Sequence, residues 1–283
     1  MTFQYTLPML HFAVAGVPHS TPPPRGTCEG MRHAHALGIT AMELEWVQRV
    51  PMNTARMQDI RRCSEELGGM SLTVHAPYYI NLNAADESKL EASKRRIIDA
   101  LSMAEIAGAR SVCVHPAFYL RMDPLLVYDR VRRATEDILS HKQTCFPSVN
   151  LAYETMGKHS QFGTFEEVLK LSAEFGIYPT VDFAHMHARA NGAINSTKEW
   201  DALLDSYVSY LGRDSLKSMH IHYSGINYNG TGERNHLPLL ESDANWKDFL
   251  AVLKRRGVAG QLVCESPILE QDTLLMQSEY HQL

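Results

Sequence analysis

At 283 residues, with 45% apolar and 21% charged side chains, the chain has the composition of a globular protein with a substantial core. A net charge of −5 and a pI near 6.3 do not advertise a nucleic-acid partner, although bound cations would change that balance locally. No apolar run nears the ~20 residues that span a bilayer, and MTFQYTLPML has no signal-peptide features. A cytoplasmic protein, monomeric and without a membrane partner, is therefore expected.

Taken in order, short apolar or β-branched runs alternate with amphipathic stretches. Strands are predicted at 10–16 (LHFAVAG), 41–47 (AMELEWV), 71–79, 111–118, 149–156, 178–185, 218–224 and 261–267. Helices are predicted between them at 28–37, 54–67, 87–108, 124–141, 165–175, 197–211 and 244–256, with a tail near 269–280. Segment 87–108 carries apolar residues on one face and charges on the other, with Gly108 as its stop. The Pro-rich STPPPRG (20–26) reads as a loop after the first strand, and the turn-rich 223–239 as a functional loop after the seventh. Eight strand–helix units averaging about 35 residues predict an α/β fold, a (β/α)₈ TIM barrel forming one domain over 1–283. A doubly wound sheet is the competing arrangement, but no GxGxxG or GxxxxGK[ST] follows any strand. The five cysteines form no CxxC pair, and Cys113 and Cys264, inside strand-like runs, read as small buried apolar residues.

Metal-type ligands recur at the predicted strand ends: His75, His115, Glu154, Asp182 with His185, His220 with His222, and Glu265. One such histidine alone is more often structural. Placed together at the mouth of a barrel, where all strand C-termini converge, they predict a metal cluster. Imidazole and carboxylate without thiolate suit Zn²⁺, with Mn²⁺ or Fe²⁺ as alternatives. The supply exceeds what one ion needs and implies two or three ions with a bridging carboxylate. Glu45, at the end of the second strand, is expected to pair with Arg49.

The strings VHAPYYINL (74–82), VHPAF (114–118), YETMGKHSQFGTFEEV (153–168), VDFAHMHARANG (181–192), MHIHYSG (219–225), RNHLPL (234–239) and CESP (264–267) resemble the endonuclease IV family. Those are apurinic/apyrimidinic endonucleases on a xylose-isomerase-like barrel, and the resemblance runs along essentially the whole chain. It implies that His75, His115 and Glu154 hold a first zinc, and that Glu154 bridges to a second held by Asp182, His220 and Glu265. His185 and His236 would hold a third, Tyr78 would lie beside the substrate, and Glu154 and Glu265 would be catalytic. The implied activity is hydrolysis of the phosphodiester 5′ to an abasic site in DNA repair.

The chain departs from the family in three places. Arg234 stands where the family has the Asp of its D-x-H, leaving Glu233 as the nearest acid. His222 follows His220 in phase and can add a ligand, face the substrate or be structural. The loop 48–56 is short and offers only Arg49 and Arg56 to a substrate, with Arg234 a further candidate on the later loop. The rival reading is a sugar isomerase or epimerase with one ion on Glu154, Asp182, His220 and Glu265. It has no use for His75, His115, His185 and His236.

Overall fold

The computed structural model describes residues 9–283. Eight parallel strands close into a barrel: β1 Leu10–Ala15, β2 Ala41–Glu45, β3 Ser71–His75, β4 Ser111–Val114, β5 Asn150–Glu154, β6 Tyr178–Asp182, β7 Met219–Tyr223 and β8 Gly260–Cys264. Each pairs with its chain neighbours, and β1 pairs with β8 to complete the circle. Eight principal helices surround it: α1 Thr27–Ala36, α2 Thr54–Glu66, α3 Glu87–Ala107, α4 Pro124–Ser140, α5 Phe165–Phe175, α6 Thr197–Leu211, α7 Trp246–Arg255 and α8 Glu270–Gln282.

Local chemistry sets the helix ends. Asn53 and Asp86 cap α2 and α3 by accepting backbone N–H groups, and Thr164 with Glu167 forms a reciprocal capping box on α5. Gly108 ends α3 in the left-handed conformation (φ 77°), which a Cβ would penalise.

Because side chains alternate along a strand, each strand serves two cores. Outward residues such as Leu72, Val74, Val112, Leu151 and Tyr153 pack with Ile97, Leu101, Val131 and Ile138 of α3 and α4. On the other side Ile221, Tyr223 and Leu262 meet Trp200, Trp246, Phe249 and Leu253. The other face of the strands is largely polar yet buried: Glu43, Thr73, His75, Ser111, Glu154, Thr180, Asp182, His220, His222 and Gln261. Buried charge is costly without partners, so this lining has to be mutually satisfied or hold cations.

The strands are shorter than the sequence predicts, and three elements differ in kind. His185 lies not on strand β6 but on a short helix, Phe183–Arg189, whose N-cap is Asp182. The predicted loop 223–239 is mostly an antiparallel hairpin, Gly225–Asn229 with Gly232–Leu237. A second small sheet joins Ala117–Phe118 to Gln161–Phe162. Among the described residues no helix is long and apolar enough to cross a membrane.

Candidate metal centre

Glu154, the last residue of β5 and fully buried, has imidazoles on both carboxylate oxygens. Its Oε2 lies 2.8 Å from His115 Nε2 and 3.5 Å from His75 Nε2; Oε1 lies 3.2 Å from His185 Nδ1 and 3.3 Å from His222 Nδ1. Burial would raise this carboxyl, but the His115 and His222 imidazoles outweigh it and hold the group well below the usual carboxylate range. Glu265, one residue beyond β8, is likewise brought down to about 2, because His222 outweighs burial. Asp182 goes the other way: burial, helped by the Glu265 and Glu154 charges, raises it to about 7 against the pull of His185.

The donors form overlapping sets. His75, His115 and Glu154 make one. Glu154, Asp182, His222 and Glu265 make a second, and Asp182, His185 and His236 a third; within each set the ligand atoms lie within 4.8 Å of one another. The second set passes a chemical test of fit. Glu154 Oε1, Asp182 Oδ2, His222 Nδ1 and Glu265 Oε2 are all buried without a hydrogen-bond partner. The contacts of His222 Nδ1 with Glu154 and Glu265, 3.3 Å each, are therefore close but not aligned as hydrogen bonds. Four residues whose ligand atoms lie within 4.8 Å of one another, each with an orphaned buried donor atom, suit a cation.

Three of the histidines are held in one tautomer by backbone carbonyls. His75 Nδ1 donates to Ala76 O (2.8 Å), His185 Nδ1 to Thr155 O (3.1 Å) and His236 Nδ1 to Glu265 O (3.0 Å). A carbonyl can only accept, so in the neutral form that binds an ion each ring presents the lone pair of Nε2 to the cluster.

The hairpin after β7 closes the site. Its register shifts so that Tyr228 opposes Glu233 while Asn227 opposes Asn235, which makes Arg234 the extra residue of a bulge. Arg234 is exposed, whereas Glu233 and His236 turn to the same side. Glu233 Oε2 then lies 3.5 Å from His185 Nε2, and His236 Nε2 3.4 Å from the same atom. The acid missing at position 234 is thus offered from 233. Gly232 permits the turn: its φ is +97°, and a Cβ there would stand 2.1 Å from Gly157 O.

Tyr78 stands at the rim, its ring 5.2 Å from both His75 and His115. Burial pushes its phenol up to about 12, so it remains a neutral donor at ordinary pH. With Phe118, Lys158, Gln161, Glu233 and the cluster it lines a cavity of about 260 Å³.

Several sequence expectations are corrected. His220 is not with Asp182 and Glu265. It sits two residues earlier on β7, where its Nε2 meets Glu43 (2.8 Å) and its Nδ1 meets Ser111 (3.1 Å) and Thr180 (3.2 Å); His222 takes its expected place. Two inward positions on one strand differ in depth, and only the pairing register says which reaches the mouth. Glu45 is not paired with Arg49: burial raises its carboxyl to about 8 and leaves its Oε1 without a partner. Arg49 is exposed and lines a separate groove of about 640 Å³ above β1 and β2. Cys113 is not merely apolar filling, since its thiol donates to Glu154 Oε2 at 3.1 Å. His187 bonds Ile194 O and Asp243, away from the cluster. Glu43 carried no sequence signal; within AMELE it looks like the polar face of an ordinary strand.

Residues 31–278 match the family described as xylose isomerase-like TIM barrel. An uncharacterized protein of Methanocaldococcus jannaschii, MJ0133, is 38% identical over 275 residues, 97% of this chain and 98% of its own. A probable endonuclease 4 of Geobacillus sp. is 26% identical over 56% of this chain and 54% of its own length. Among solved structures, endonuclease IV from Thermus thermophilus aligns with a TM-score of 0.69 at 20% identity, over 97% of this chain and 98% of that one. A D-tagatose 3-epimerase-like protein aligns equally well, with a TM-score of 0.69 at 19% identity over 96% and 97%. At those identities the two structures speak to the fold alone.

Proposed function

Because this chain belongs to the xylose isomerase-like TIM-barrel family, we propose that it is a metal-dependent phosphodiester hydrolase, a zinc endonuclease that cuts DNA 5′ to abasic sites in base-excision repair. The observation that carries this reading is the crowding of imidazoles around one carboxylate. His75 and His115 attend Glu154 Oε2, His185 and His222 attend Oε1, and His236 with Glu233 extends the array. One ion needs only Glu154, Asp182, His222 and Glu265. The surplus suits two or three ions sharing Glu154, as phosphoryl transfer uses, and the relatives named probable endonuclease 4 agree with it.

Divalent ions bound here would supply Lewis acidity towards a phosphoryl oxygen and lower the pKa of an adjacent water. His75, His115 and Glu154 would hold one, Glu154, Asp182, His222 and Glu265 a second, and Asp182, His185 and His236, helped by Glu233, a third. The protein's own groups do the positioning. Tyr78 offers its phenol O–H at the rim, and Lys158 brings a positive charge to the same cavity. About 260 Å³ corresponds to roughly nine waters, room for one extruded sugar and its phosphate. Extrusion costs less where the base is already lost, which selects abasic sites.

The second reading, a sugar epimerase with one ion, rests on the four orphaned donor atoms, which are sufficient alone for that chemistry. Metal analysis and a duplex with one abasic site separate the two. The nuclease should hold two or three zinc per chain and make one cut 5′ to the lesion, leaving a 3′-hydroxyl. One ion per chain, an intact duplex and a converted ketose would establish the epimerase instead.

A further inference from the structure

His222 breaks the pattern of the other cluster histidines. His75, His185 and His236 each lock Nδ1–H on a backbone carbonyl and present Nε2. His222 is turned around: Nδ1 faces Glu154 and Glu265, and Nε2 points down into the barrel. There it meets a carboxylate. Glu43 Oε1 is 2.9 Å from His222 Nε2, and Glu43 Oε2 is 2.8 Å from His220 Nε2 and 2.6 Å from the Thr73 hydroxyl. All of these groups are buried.

For the neutral imidazoles that ion binding requires, proton bookkeeping favours one arrangement. The two Nε2 atoms are 3.3 Å apart, so one of them donating to the other would leave the accepting ring's lone pair against the ionised Glu43. If each imidazole instead carries its proton on Nε2, each Glu43 oxygen faces one: Oε2 takes a hydrogen bond from His220, and Oε1 makes a close 2.9 Å contact with His222 that is not aligned as one. His220 Nδ1 is then an acceptor for the hydroxyls of Ser111 and Thr180. Thr73 donates to Glu43 and accepts from Gln261 Nε2 at 2.7 Å, so the layer is closed on that side as well. Its consequence for the mouth is that His222 has no proton on Nδ1, and a lone pair points at Asp182, Glu154 and Glu265.

We propose that Glu43 is a positioning residue for the metal centre: it clamps His222 as the Nε2–H tautomer and so makes Nδ1 a ligand, with His220 acting as the second anchor of the clamp. This rests on the metal-centre reading above but not on which reaction the centre performs. Ligating imidazoles elsewhere gain orientation and basicity from such a carboxylate, and losing one costs ~10–100-fold in ion affinity.

Glu43→Gln keeps the shape but turns an amide nitrogen towards one imidazole, setting donor against donor. Competition with a chromophoric chelator should show zinc bound ~10–100-fold more weakly by the variant than by the parent, with the ion count at saturation unchanged. Nitrogen-15 spectra of the histidine-labelled parent, loaded with zinc, should place the His222 proton on Nε2, a reading that needs no variant to fold. Equal affinities overturn the clamp, as does a proton on His222 Nδ1 in the zinc-loaded parent. Loss of a whole ion on Glu43→Gln also overturns it, because the layer would then be a metal site itself. A parent that binds no divalent ion defeats the metal-centre reading together with the clamp, whereas an intact abasic duplex with normal ion binding defeats the nuclease alone.

Discussion

Substituting Glu154 by Gln removes one charge from the centre of the cluster and almost no volume. The carboxylate stands 2.8 Å from His115 and 3.5 Å from His75 through Oε2, and 3.2 Å from His185 and 3.3 Å from His222 through Oε1. It is fully buried, so water cannot take over for the lost charge. Removing one member of a buried charged assembly costs about 3–5 kcal/mol. At 1.4 kcal/mol per decade this is a loss of roughly 10²- to 10⁴-fold in ion affinity. Since both oxygens face donor sets, the loss should fall on two ions together. Equilibrium dialysis with elemental analysis at equimolar zinc reads the ion count, and chelator competition reads the affinity. Cleavage of an abasic duplex should fall below detection in the same samples. A variant that keeps its ion count, with affinity within a factor of about three, would refute the bridging role and the sharing argument with it.

His75→Ala tests the choice of reaction. It should reduce abasic-duplex cleavage on the order of 10²-fold or more, the scale of losing one electrostatic stabiliser, while leaving the Glu154–Asp182–His222–Glu265 set intact; unchanged cleavage would remove the first ion from the reading. Gly232→Ala forces a Cβ to 2.1 Å from Gly157 O at a φ of +97°. The hairpin should shift, at a cost of about 1–3 kcal/mol, and the protein should bind one ion fewer by elemental analysis. Chelated protein should respond to pH with a definite sign. His185 and His222 are raised well above the ordinary imidazole value because neighbouring carboxylates, Asp182 and Glu154 for the first and Glu265 and Glu43 for the second, outweigh burial. Their contribution is complete below ~6.5 and is lost as pH rises through the folded values. Burial raises Asp182 to about 7 and Glu45 to about 8, which adds in the same direction. Ion binding needs those same imidazoles deprotonated and so strengthens with pH. The gap in Tm between zinc-loaded and chelated protein should widen from pH 6 to pH 9, and a constant gap would contradict the assignment.

The alternation of runs along the chain is enough to place the barrel, because helix faces and caps are local. The predicted 165–175 and 197–211 coincide with α5 and α6, and Gly108 does end α3. What cannot be read locally is depth within the barrel. His220 and His222 point to the same side of β7, and a period of two cannot say which is at the mouth; the pairing of Asp182 with His222 and of Thr180 with His220 decides it. The same blindness hides Glu43, since an acid alternating with Met and Leu looks solvent-facing until the sheet closes on itself. For His185 the sequence does carry a signal: Asp182 ahead of FAHMHAR is an N-cap, and its Oδ1 accepts from His185 N at 2.7 Å. Arg234 shows the opposite limit, because a bulge is a property of two paired strands and neither sequence alone announces it.

Depth also explains how one barrel can support either of two chemistries. The carboxylates and His222 that suffice for one ion come from β5 to β8 and sit at the level of the strand ends. His75 ends β3, and His115 lies one residue past β4. Both reach Glu154 Oε2 from the neighbouring side of the barrel. His185 and His236 come from the short helix and the hairpin, above the strands. The inner set and His75 are thus fixed by the sheet, with His115 one residue past it, while His185 and His236 depend on a helix and a hairpin that can be lost without opening the barrel. A nuclease centre differs from an epimerase centre by those additions, so removing His75, His115 or the hairpin should strip ions from the outside inward and leave the Glu154–Asp182–His222–Glu265 site until last.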